Sequence, residues 1–184
     1  MFKYLSIALL IMLMGCSAAL ESLKPVQVEY DKFDNRTTYK TQEIQVKETF
    51  IPHFILKAYA YKFCTGENVN CDPEYIRMSF RSQATYWRYI NYPEIRLTFI
   101  ADGEIIDAGI AELGLTNTMI AGGDALTVEH IGISIDKDTF MKIAFADTLE
   151  GKLGIEEFKI SSNKREAWRA LVNPFVMNQY YNTK

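Results

Sequence analysis

The chain has 184 residues, with 23 Asp plus Glu against 20 Lys plus Arg and a net charge of −3. No basic stripe is present to follow a phosphate backbone, which argues against nucleic acid as a partner, and the length suits one domain with a sizeable core. The 11 Tyr and 11 Phe favour a β-rich fold, because rings pack well on a pleated surface.

Residues 1–6 carry one cation, Lys3, and the apolar run that follows is too short to span a bilayer, so the segment reads as a secretory signal. The run closes on Leu13-Met14-Gly15-Cys16, which resembles the bacterial lipobox. The resemblance implies that Leu13 and Gly15 are read by the lipoprotein signal peptidase. It also implies that Cys16 becomes the mature N-terminus, carrying diacylglycerol and an N-acyl chain. Residues 1–15 are then a cleaved signal, 16–25 a lipidated N-terminus with a short tether, and 26–184 a single globular domain. Each buried acyl methylene contributes about 0.8 kcal/mol, so several chains on one cysteine anchor firmly where a single chain is marginal. Ser17 rather than Asp follows the cysteine, which by the same resemblance implies the outer membrane, with the domain on the periplasmic side. No cofactor beyond those acyl chains is expected.

Strand patterning begins at residues 26–30, where apolar and polar side chains alternate, and resumes at 37–41 after the turn signal Asp34-Asn35. Residues 43–50 fit an edge strand and 53–61 a buried one, with Pro52 between them. Cys64 and Cys71 then flank a short loop rich in Gly and Asn. In an exported protein such a pair reads first as a disulfide, ahead of a redox site, whose Cys-x-x-Cys spacing is absent, or a zinc knuckle, which would need a nearby histidine.

Residues 75–82 alternate strongly, with Ile76, Met78 and Phe80 on one face. Residues 86–92 read as another strand and 95–101 as the next, leading through Asp102-Gly103 into 104–110. Asp-Gly between β-prone runs signals a hairpin whose turn needs positive φ at both central residues. Gly122-Gly123-Asp124 marks a further turn before a strand at 126–135. That strand carries Val128, His130, Gly132 and Ser134 on one side, with Leu126, Thr127, Ile131, Ile133 and Ile135 making the apolar set. The period then changes. Asp136 precedes an amphipathic helix over 137–149, the segment 150–154 ends it, and 155–160 gives a last strand. Asn163 with Glu166 suggests a capping box opening a helix over 164–172, stopped by Pro174. The expected fold is α+β, a predominantly antiparallel sheet or sandwich with two C-terminal helices packed on one side.

Signals for chemistry are sparse. His53 and His130 are the two histidines, and His130 sits beside Glu129 in a strand, so the pair points to opposite faces and makes no ready acid–base couple. No nucleophile elbow, His-rich zinc pattern or phosphate-binding loop is present, and Asp102, Glu104 and Asp107 read as a solvated hairpin edge. No catalytic residue and no metal site are expected. The most suggestive surface is Tyr86, Trp87, Arg88, Tyr89 and Tyr92, rings beside polar atoms of the kind enriched at interfaces and sugar-stacking surfaces. The bland reading, cross-strand packing of rings, competes with it.

Beyond the lipobox, residues 28–33 with Thr37-Thr38, the Ala101-Asp102-Gly103 hairpin, and Phe140-Met141-Lys142-Ile143-Ala144 running to Gly154 and Phe158 loosely resemble small bacterial envelope proteins of unknown function. The resemblance implies an architecture and no site residues. The leading expectation is an outer-membrane lipoprotein whose domain binds or scaffolds an envelope protein or glycan without catalysis. A hydrolase using dispersed Asp, Glu and His130, and a carrier of a lipid or small apolar ligand, are the alternatives.

Overall fold

The computed structural model describes residues 24–173 apart from 51, 68–69 and 122–123. The signal, Cys16, most of the tether, the Gly122-Gly123 turn and Pro174 therefore lie outside the described residues. Within them the chain forms β1 (Val26–Asp31), β2 (Arg36–Thr41), β3 (Ile44–Phe50), β4 (His53–Thr65), β5 (Tyr75–Ala84), β6 (Ile95–Ala101), β7 (Glu104–Ala121) and β8 (Asp124–Asp136). After these come α1 (Lys137–Phe145), β9 (Leu149–Leu153), β10 (Glu156–Lys159) and α2 (Glu166–Val172), the last preceded by a 3-10 turn over Ser162–Arg165.

The strands make an antiparallel sheet in the order β1-β2-β4-β5-β8-β7-β6-β9-β10, and β3 shares one edge of β4 with β2. β7 belongs to two halves of that sheet, pairing β6 through residue 111 and β8 from residue 112 onward. Gly109, at φ 104°, lies just before the changeover. The sheet curls far enough for its inner faces to meet: Phe158 of β10 lies 5.9 Å from Phe80 of β5 and 6.3 Å from Phe99 of β6, ring centre to ring centre. Gly151 is what lets Phe158 in, since a Cβ there would stand 2.4 Å from its ring. At the seam of the curl, Lys47 of β3 reaches Glu156 of β10 at 2.8 Å.

α1 and α2 cover the end where β4 finishes and β5 begins, with Phe140 and Trp168 fully buried between them and the sheet. The Asp136 carboxylate accepts the Thr139 N–H at 2.8 Å and opens α1, as the sequence suggests. The other end of α1 is closed by a side chain from elsewhere. Arg165, with no exposed surface, donates from Nη1 to the carbonyls of Ile143 and Ala144 and from Nη2 to that of Asp147.

Several expectations need correction. α1 stops at Phe145, and residues 149–153 form β9, which pairs with both β6 and β10. Its alternation of buried Leu149, Gly151 and Leu153 with exposed Glu150 and Lys152 is that of a strand, and Gly154, at φ 58°, makes the turn. No capping box forms at Asn163. The segment begins as a 3-10 turn, and Ser161 Oγ donates to Asn163 Oδ1 at 2.6 Å instead. Residues 86–92 are not a strand but part of the loop between β5 and β6. The hairpin at Asp102-Gly103 forms with φ of 51° and 86°, and Cys64 and Cys71 are disulfide-bonded.

Candidate functional site

The loop between β5 and β6 enters the mouth of the curled sheet at the end opposite the helices, and a buried carboxylate organises it. Glu129 follows the inward phase of Ile131, Ile133 and Ile135 on β8 and has no exposed surface. Its Oε1 accepts the backbone N–H groups of Tyr89 and Ile90 at 2.8 and 2.9 Å, while Oε2 accepts that of Arg88 at 2.9 Å and the Ser82 hydroxyl at 3.4 Å. Three successive peptide N–H groups converging on one carboxylate give charge-assisted bonds in a dry setting, stronger than neutral ones. This is why the loop abandons strand pairing. Its donors are satisfied by a side chain of the core rather than by a neighbouring strand.

Arg88 is held on several sides. Its guanidinium lies 4.2 Å from the centre of the Phe54 ring, Nη1 donates to the Tyr86 hydroxyl at 2.7 Å, and Nη2 donates to Glu156 Oε1. Glu156 Oε2 takes Lys47. Desolvation pushes the Glu156 carboxyl up, but the hydrogen bonds and charges of Lys47 and Arg88 outweigh it and hold its pKa below the ordinary value. Tyr89 turns the other way, into the core beside Gly154, and burial raises its phenol well above the usual range.

What remains outward is a concavity of about 420 Å³ lined by Tyr86, Trp87, Arg88, Asn91, Tyr92 and Ile155. Four of the five residues singled out from sequence, Tyr86, Trp87, Arg88 and Tyr92, thus meet in one place, and Tyr89 becomes their buried root. The two carboxylates behind them escape a reading by motif. Their signal is phase: Glu129 and Glu156 each occupy the apolar face of a strand, in step with Ile131 and Phe158.

The histidines do not join this site or each other. His130 is on the outer face of β8, level with Arg81, while His53 starts β4, two strands away and four rungs along. Desolvation first, then the Arg81 charge, lowers the His130 pKa. Glu43, which ion-pairs with Arg81 at 2.8 Å, faces the same patch. Among the described residues no group of His, Cys, Asp and Glu could hold a metal ion. A second concavity of about 420 Å³ runs over the outer face of β6, β9 and β10, lined by Thr98, Ile100, Ile105, Lys152 and Lys159 among others. No helix among the described residues is long and apolar enough to cross a membrane.

The sequence matches no protein-family model, and comparison with curated proteins and with solved structures finds no match.

Proposed function

We propose that this chain is a lipid-anchored protein of the bacterial outer membrane whose domain binds a neutral envelope glycan, without turning it over, in the concavity of the 86–92 loop. The lipobox resemblance at Leu13-Met14-Gly15-Cys16 supports the anchor. The observation that carries the binding role is the Glu129 capture of three loop N–H groups, because it presents Tyr86, Trp87 and Tyr92 on a backbone ordered before any ligand arrives. The two cations behind the rings, Arg88 and Lys47, are offset by two carboxylates, Glu156 through ion pairs and Glu129 through the loop N–H groups. An uncharged ligand that stacks on rings and bonds to Asn91 and the tyrosine hydroxyls suits this surface better than an anion does.

The two tryptophans make the test direct. Trp87 is half-buried in the concavity, and Trp168 is sealed in the core as an internal reference. Titration with N-acetylglucosamine oligosaccharides gives a saturable change in Trp87 emission, and Trp87→Ala weakens binding by about tenfold or more while leaving the fold unchanged. A flat titration, with an envelope protein recovered on the same loop by crosslinking, assigns the site to a protein partner instead. Mass spectrometry of the native N-terminus tests the anchor separately, through the acyl chains on Cys16.

The outer groove at the exposed Ile100 and Ile105 favours a second reading, carriage of a small apolar ligand. Displacement of a bound fluorescent fatty acid by Ile105→Lys checks it.

A further inference from the structure

β7 outruns its partner on one side. Its last rung with β6 is Ala111↔Ile95, whereas on the other side β8 accompanies it from Glu112 to Ala121. Among the described residues no strand pairs with the remaining edge of that second half, so a row of peptide donors and acceptors faces outward there. Natural edge strands are blunted with charges and prolines, as β1 at the far end of the sheet is by exposed Glu29 and Asp31. The stretch Leu113-Gly114-Leu115-Thr116-Asn117-Thr118-Met119-Ile120-Ala121 has neither charge nor proline, and Leu115 and Ile120 are 84% and 82% exposed.

We infer that this edge of β7 pairs with the same edge of a second copy of the chain, antiparallel about a twofold axis at Asn117. The segment is complementary to itself in that register. Leu115 falls opposite Met119 of the other copy, Thr116 opposite Thr118 and Asn117 opposite its twin, so apolar meets apolar, hydroxyl meets hydroxyl and no charge opposes another. Moving the register by one residue sets Leu115 against Thr118 and breaks the match. The bulge in β7 between Leu113 and Thr116 bends the strand where the pairing segment begins, with Leu115 at its margin, and limits the contact to about five rungs. Such a contact covers less than the roughly 800 Å² per partner of a standard stable interface, so the dimer is weak and concentration-dependent in solution. Confinement to a membrane raises its occupancy by effective concentration. The pairing itself requires neither the anchor nor the glycan site.

The test uses the mature full chain in mild detergent and in isolated envelopes. Sedimentation velocity shows a monomer–dimer equilibrium, and Asn117→Cys forms an intermolecular disulfide under mild oxidation. Leu115→Lys with Met119→Lys sets lysines against lysines and weakens the dimer by about tenfold or more. Leu115→Lys with Met119→Glu restores it, because each lysine then faces a glutamate of the other copy. Both positions are exposed, so near-ultraviolet circular dichroism stays unchanged. A monomer at every concentration with no Asn117→Cys crosslink overturns the inference. So does a dimer indifferent to the lysine pair, and so does failure of the lysine–glutamate pair to restore association, the result expected if the edge serves a foreign strand.

Discussion

Glu129 Oε1 accepts the backbone N–H of Tyr89 at 2.8 Å, so a carboxylate on the inner face of β8 sets the course of a loop some forty residues earlier in the chain. Through that bond Tyr89 is drawn into the core, and the neighbouring Trp87 and Tyr92 are left facing outward.

Glu129→Gln keeps the shape and one acceptor oxygen but turns an amide NH₂ toward backbone donors. The expected loss is about 3 kcal/mol in chemical unfolding, since hydrogen bonds to a charged acceptor are broken in a buried site. Hydrogen exchange at Arg88, Tyr89 and Ile90 accelerates ahead of global unfolding. Ligand binding weakens through disorder of the loop, and Tyr86→Phe, which leaves the Glu129 bonds intact, preserves the exchange protection.

Arg165 closes the C-terminal end of α1 with bonds to three carbonyls. Arg165→Met fills similar volume but takes the buried guanidinium donor from the Ile143 carbonyl and leaves that of Ala144 to Arg169 alone, and about 3 kcal/mol of stability is lost. Arg165→Lys recovers only part of it, because one ammonium cannot span the same fork. Thermal melts of the three chains check the order.

Lys62, 4% exposed, donates to Asn70 Oδ1 at 2.8 Å and to the Cys71 carbonyl at 3.1 Å, and burial pushes its pKa down from 10.5 to about 8. Asp72 acts against that shift and Lys137 with it. Below the folded value the ammonium is charged in both states and its burial cost is constant. Between about 8 and 10.5 the unfolded chain binds more protons than the folded one, so stability rises with pH. Urea unfolding of the native chain and Lys62→Met at about pH 7 and again near pH 10.5 isolates the effect. The native chain gains on the variant by about 3 kcal/mol across that interval.

The Cys64–Cys71 bridge ties the end of β4 to the loop that Lys62 also holds. Replacing both cysteines with serine costs about 2.5 kcal/mol by the chain-entropy relation for so short a loop. The fold of β4 and β5 survives, because their pairing runs from Phe54 to Tyr61, clear of the bridge.

Local chemistry was sufficient for much of this protein. Alternation placed β1, β2, β5 and β8, Asp102-Gly103 announced its turn through the φ values it tolerates, and the pair of cysteines in a short polar loop announced their bond, because each depends on neighbours in sequence. Where the outcome depends on distant groups, local signals misled. Residues 86–92 have strand composition yet form a loop, since Glu129 offers their N–H groups a charged acceptor that no neighbouring strand could match. Leu149 extends the helical stripe on paper and residues 150–154 read as its end, but pairing with β6 and β10 draws 149–153 into the sheet. The rings of the candidate site were visible in sequence as an aromatic cluster. Which of them faces solvent, and what holds them there, was decided by the curl of the sheet, because only that curl brings β8 and β10 to the same loop.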